Sequence, residues 1–392
     1  MFGGIFNGLS GMQAFSSGLR QVSNNITNLN TSGFKGSSVL FNNLYSSGGN
    51  GLSFNGGVDA KGGGVELSVS QLDLSAGELR QTGRDLDLAI DGPGFLVLER
   101  DGELFYTRTG SFEVQADGSI VLSGTDLKLT FLDERGIATP LSIDEARSSA
   151  PEATTTISLS GNLSSTADDF SLANVGIFDA NGEEANWTFD FSRVANGAPG
   201  EWSVNVIRGD GTTIGTETLN FTGGIVGVGS EILTFTDPDS GQAIDLDLST
   251  NVTSFSSGSV STLQVSESDG YGLGQITSLR VGNNGVMEVG YSNEQTTELG
   301  ALALALFADP QSLEQREGSL FSHNLSSGRE LVTSLDERAG IVLSGRIEAS
   351  NVDLSQQFGD LILVQRGFQA SSQVVSISND MIQQLFGIRG QG

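Results

Sequence analysis

The sequence predicts a mixed α and β multidomain chain, with a helix at each end and two mainly-β domains between, the outer inserted into the inner. Three observations carry this. Apolar residues recur at three- and four-residue intervals near both termini. Between them, short apolar alternations are separated by Gly-containing turn pairs. Acidic residues crowd that middle part and nearly vanish from the ends. At 392 residues the chain exceeds the usual single domain; Gly, at 54, is about twice as frequent as average, while Pro is only 6.

At the N-terminus, Phe2, Ile5, Leu9, Met12, Leu19 and Ile26 form a stepped row with Ser16 and Ser23 at its polar positions. Near the C-terminus, Leu354, Phe358, Leu361, Phe368, Val375, Ile382 and Phe386 do the same, with Gln365, Ser372 and Asn379 between them. Val374, Ile377, Met381 and Leu385 add a second row. This is the heptad-like seam of a helix that packs along other helices. An amphipathic terminal helix ordinarily packs on its own domain and shows charge outside. Here Arg20 is the one charge before Lys35, and no Asp or Glu precedes Asp59. The outer face is Ser, Asn, Gln, Thr and Gly. Such faces suit contact with further copies, so the ends read as assembly surfaces that meet in one molecule or between many.

Residues 31–65 are rich in Gly, Ser and Asn and read either as a flexible linker or as an extended arm. From 66 to 144 the pattern is of short strands: Leu86, Leu88 and Ile90 alternate, Phe95–Leu98 runs apolar, and Asp101-Gly102 and Asp117-Gly118 mark hairpin turns. The pattern resumes after Gly274 and includes the Leu302–Leu306 alternation. A strand domain begun before 145 and finished after 274 implies an insertion, 145–273. That insertion is also β: Asn181-Gly182 divides Val175–Phe178 from Trp187–Phe189, and Trp202–Ile207 leads into Arg208-Gly209-Asp210-Gly211. The predicted domains are 1–30 with 350–392, the arm 31–65, 66–144 with 274–349, and 145–273.

The net charge of −28 argues against nucleic acid or an anionic membrane as partner. There is no cysteine, and His323 is the single histidine, so zinc sites and thiolate chemistry are excluded. No phosphate-cradling Gly-Lys-Ser/Thr motif occurs. Arg208-Gly209-Asp210 is ordinary turn chemistry. Asp237-Pro238-Asp239-Ser240-Gly241 with Asp245 and Asp247 lacks the ligand spacing of a calcium loop. No catalytic, cofactor-binding or metal-binding residue is expected, and no enzyme. A basic n-region and a run of ~18 apolar residues are both missing, so neither a Sec-type signal nor a membrane span is predicted.

Three strings resemble the bacterial flagellar axial proteins, the family of rod, hook and hook-associated subunits. The first is Asn24-Asn25-Ile26-Thr27-Asn28, then Thr31, then Gly33-Phe34-Lys35, with Thr27 where the family usually has Ala. The second is Asp87-Leu88-Ala89-Ile90-Asp91-Gly92-Pro93-Gly94-Phe95-Leu96, followed by Tyr106-Thr107-Arg108-Thr109-Gly110-Ser111-Phe112. The third is Glu348-Ala349-Ser350-Asn351-Val352-Asp353-Leu354, then Gln365-Arg366-Gly367-Phe368-Gln369-Ala370. Gly367 and Phe368 depart from the family's usual Ala or Asn and Tyr; Gly367 lowers helix propensity by roughly 0.8–1 kcal/mol, which allows a local bend.

The resemblance implies that the end helices pair as a coiled coil lining the innermost tube of a homo-polymer. It implies a structural subunit of the flagellar hook, a curved, flexible tube that passes torque from rod to filament as a universal joint. Other axial proteins (distal rod, hook cap, hook–filament junction) and the type III export apparatus are the implied partners. The implied location is the flagellum, outside the cell after signal-independent export. A distal rod subunit is the alternative within the family, disfavoured by the long insertion; a secreted β-rich binding protein is a further one, for which the sequence offers no site. The ends of an unassembled chain are expected to be disordered.

Overall fold

The computed structural model describes residues 2–38, 40–45, 62–67, 71–133, 135–195, 197–282, 285–323 and 328–389. The chain divides into two units, one of Met1–Asp144, Leu279–Glu288 and Glu298–Gly392, the other of Glu145–Ser278 and Val289–Thr297.

In the first unit, helix α1 spans Phe2–Thr27 and helix α2 spans Leu354–Arg389. α1 holds Gly3, Gly4, Gly8, Gly11 and Gly18, each of which costs about 1 kcal/mol against Ala in a helix interior. Propensity therefore does not make this helix; packing against α2 does. It stops where polar side chains compete for its carbonyls: Thr27 Oγ1 donates to the Ser23 oxygen at 2.6 Å and Asn28 Nδ2 to the Asn24 oxygen at 2.9 Å. Gly33 then turns the chain with φ of 68°. α2 begins at an N-cap, Asp353 Oδ1 accepting from the Ser355 and Gln356 amides at 2.7 and 3.1 Å. It runs unbroken through Gly367, so the bend allowed there by propensity does not interrupt it.

The first unit's main sheet runs, in spatial order, through 314–316, 320–322, 103–107, 95–100, 128–132, 120–122, 109–114, 87–91 and 341–344. The turn Asp101-Gly102, with φ of 54° and 83°, joins 95–100 to 103–107, as the hairpin reading expects. Leu88, Ala89 and Ile90 are all buried, as are Leu302, Ala303, Leu304 and Ala305. These alternations mark central strands covered on both faces, not half-exposed ones. Phe95, Tyr106, Phe307 and Phe321 meet edge to face, with ring centroids 4.9–5.6 Å apart. Within the expected arm, residues 46–61 lie outside the described residues. What is described of it is a hairpin, Phe41–Tyr45 with Gly62–Leu67, laid on α1: the Phe41 ring sits 5.2 Å from Phe15, and the Val65 amide donates to Ser10 Oγ at 3.3 Å.

In the second unit, the strands 169–178, 184–193, 201–208 and 213–222 form an antiparallel meander. Trp187, Phe189 and Phe191 on one strand, and Trp202, Val204 and Val206 on the next, are buried with a period of two. They pack with Leu219, Phe235, Ile244 and Leu246 into one core. The Arg208 guanidinium fills the centre of the acidic loop: it lies 2.5 Å from Asp237 Oδ1, 3.0 Å from Asp239 Oδ2 and 3.7 Å from Asp210 Oδ2. The cation held by these carboxylates is thus an arginine, and Arg208-Gly209-Asp210 is engaged within its own turn.

Both tryptophans of the chain lie in this second core, so their fluorescence reports on it. Phe189→Ala should destabilise the second unit by about 3–5 kcal/mol, read as an earlier urea midpoint of tryptophan emission. An unchanged midpoint would show that Phe189 does not hold this core together.

Candidate assembly surface

α1 and α2 run antiparallel, and α1 meets α2 with its smallest residues. A β-carbon at Gly8 would lie 2.7 Å from Val375 Cγ2 and 3.1 Å from the Ser371 carbonyl oxygen; one at Gly11 would lie 2.6 Å from Ser371 Oγ. At Gly367 the roles reverse: a β-carbon there would meet the Phe15 ring at 2.4 Å. Gly367 is the space that Phe15 occupies, which the sequence reading missed. Further along, Asn25 Nδ2 donates to Gln357 Oε1 at 2.9 Å. The buried row of α1 is therefore Gly8, Gly11, Ala14, Gly18, Val22 and Asn25.

The predicted apolar seams lie largely beside this contact row. Leu9 is exposed; Ile5, Met12, Leu19 and Ile26 are half-buried. On α2, Leu354, Phe358 and Phe368 are exposed, and Leu361, Val375 and Ile382 are half-buried. The side chains of Phe2 and Phe386 lie outside the described residues. Phe6, Ile362, Leu363, Val374, Ile377 and Met381 are exposed as well, Leu363 at 69%. The helix pair thus leaves many large apolar side chains open to water, the feature on which an assembly reading rests.

The motif residues gather where the helices leave the sheet. Asn25 is buried, and besides Gln357 its Nδ2 donates to the Ser37 oxygen at 2.9 Å while its Oδ1 accepts from the Ser37 amide at 3.2 Å. Asn24, Asn28 and Thr31 form the helix exit, Thr31 Oγ1 donating to Asn28 Oδ1 at 3.2 Å. Ile26 stays half-buried and Phe34 is buried. Asn351 ties three segments: its Oδ1 accepts from the Gly36 amide at 2.9 Å, and its Nδ2 donates to the Asp73 and Ser75 oxygens at 2.8 and 3.1 Å. Ser350 Oγ accepts from the Val352 amide at 3.3 Å. Asp353 is the cap described above. Gln365 and Arg366 are exposed on α2, away from this junction.

At the centre of the junction lies a buried ion network. Glu348, wholly buried, accepts at Oε1 from Lys35 Nζ at 2.5 Å and from the Gly77 amide at 2.7 Å, and at Oε2 from Arg108 Nε at 3.3 Å. Lys35, also wholly buried, donates in addition to the Ser75 oxygen at 2.6 Å. Arg108 donates to the Gly94 and Ile90 oxygens and lies over the Phe95 ring at 5.5 Å. Burial draws the Lys35 ammonium below the ordinary lysine value, while the hydrogen bond and charge of Glu348 pull it back up. Two cations share one carboxylate, and the Ser75, Gly94 and Ile90 carbonyls accept further bonds from them. Gly77 passes so close that a β-carbon would meet the Ala349 oxygen at 2.0 Å. Lys35, Arg108 and Glu348 stand one in each of the three strings of the resemblance, but nothing in the sequence brought them together.

Three families match this chain in order: residues 5–35 the flagella basal body rod protein family, 89–164 the flagellar hook protein FlgE/F/G D1 domain, and 343–388 the flagellar basal body rod FlgEFG protein C-terminal family. The chain is similar to the flagellar hook protein FlgE of Borreliella burgdorferi, 28% identical with 99% of this chain and 100% of that protein covered. It is similar to that of Treponema pallidum at 26% with the same coverage, and to that of Salmonella typhimurium at 27%, with 97% and 98% covered.

Gly8→Leu should force the helices apart against the rigid Ser371 carbonyl, weakening the pair by about 1–3 kcal/mol. Gly3→Leu, where nothing lies within 4 Å, is the matched control. Helical ellipticity near 222 nm should fall for the first and hold for the second; equal behaviour would contradict the contact row.

Proposed function

Because the chain belongs to the flagellar hook protein family, we infer that it is a structural subunit of the hook, polymerising into the curved tube that joins rod to filament. One observation carries the reading furthest: the helix pair leaves Phe6, Leu9, Phe358, Ile362, Leu363 and Ile377 uncovered, and α1 carries a single charge, Arg20. A free helix pair of this kind is poorly soluted by water, and covering each large side chain contributes about 1.5–3 kcal/mol. Other copies of the chain supply that cover, with the two helices pairing as a coiled coil within the tube wall. Full-length similarity to hook proteins, including the long 145–278 segment, supports the hook rather than a shorter rod subunit.

The second unit suits a looser contact. Arg147, Arg193 and Arg208 are the cations of 145–278, far outnumbered by its acids. Like-charged surfaces adhere weakly, which permits sliding between copies as the tube bends, while the apolar helices hold the tube together. The role is mechanical, with rod, cap and junction proteins as end partners and type III export as the route out.

Deleting residues 1–30 and 350–392 should abolish tube formation seen by electron microscopy. The full chain with Phe358→Ser and Ile362→Ser should reduce tube yield by at least about tenfold while both units stay folded, on the burial energy of two large side chains. Normal tubes from the truncated chain would end the hook reading.

A further inference from the structure

The ion network joins segments that the sequence keeps far apart. Lys35 follows the end of α1 by eight residues, and Glu348 precedes the start of α2 by six. Both helix roots are therefore bound to one carboxylate, which is itself bound to the sheet through Arg108 between 103–107 and 109–114. The Gly33 amide donates to the Glu348 carbonyl at 2.8 Å, and the Glu348 amide to Thr109 Oγ1 at 3.1 Å. Outside this junction, the helices expose large apolar faces and α1 is poor in helix formers.

We propose that Lys35, Glu348 and Arg108 form a latch that couples the two helix roots: each root seats on the sheet only with the other, through the shared carboxylate. The balance of charge gives the latch a signature. With Glu348 removed, two buried cations face each other without an anion. With Lys35 removed, Glu348 still has Arg108, and the remaining pair is neutral. Removing Lys35 from a chain already lacking Glu348 takes away one of the two stranded cations. A packing role alone would make each added change worse. The latch makes the second change a partial rescue. The inference rests on the hook reading only where tubes are used as the readout.

The test uses the full chain carrying Lys35→Met, Glu348→Gln, or both. Glu348→Gln should speed hydrogen exchange at residues 33–38 and 346–353 on the order of a hundredfold and sharply lower pelletable tubes. Lys35→Met should have a smaller effect. The double variant should exchange more slowly at both roots, and form more tubes, than Glu348→Gln alone. Strands 95–100 and 128–132 should keep their protection throughout. A double variant as impaired as Glu348→Gln or more so overturns the latch. So do wild-type exchange at the roots of Glu348→Gln and loss of protection in the sheet by the same factor. If the unaltered chain never polymerises, the hook reading falls, and the order of exchange at the roots in dispersed chains still decides the latch.

Discussion

A carboxylate shut away from water must be met by cations and hydrogen-bond donors, because an uncompensated buried charge costs several kcal/mol. Glu348 meets this demand with Lys35, Arg108 and the Gly77 amide, drawn from three distant stretches of chain. The rest of the first unit follows from that gathering. The helix ends are set locally, α1's by Thr27 and Asn28 and α2's by the Asp353 cap, and the shared carboxylate brings those two ends to one place on the sheet. Asn25 and Asn351 then complete the junction with hydrogen bonds to the backbone of Ser37, Gly36 and Asp73.

Beyond the junction, α1 divides its surface by size. Gly8 and Gly11 face α2 and let the two backbones approach closely, Phe15 fills the space at Gly367, and most of the larger apolar side chains stay beside that contact. Interaxial distance in helix pairs is set by the side chains at the contact, so small residues inside and large ones outside give a close pair with an apolar exterior. On α1 that exterior holds a single charge, Arg20. The second unit is the opposite case, with its aromatic core closed by period-two strands and its surface acidic.

The sequence by itself determined the terminal helices, the β-rich middle, the hairpin turns at Asp101-Gly102 and Asn181-Gly182, and the neutral ends, because each depends on local propensity, turn chemistry or periodicity. It marked Asn25, Lys35 and Asn351 through a resemblance, without saying what they touch. Tertiary structure alone decided which row of α1 faces α2: periodicity picks out large apolar residues, whereas close approach selects glycine, which has no hydropathy signal. It also decided that Gly367 is room for Phe15, and that Lys35, Arg108 and Glu348 share one buried site. A pairing across 313 residues leaves no trace in local pattern, since the energy that enforces it, the desolvation of charge, arises only when the folded chain excludes water.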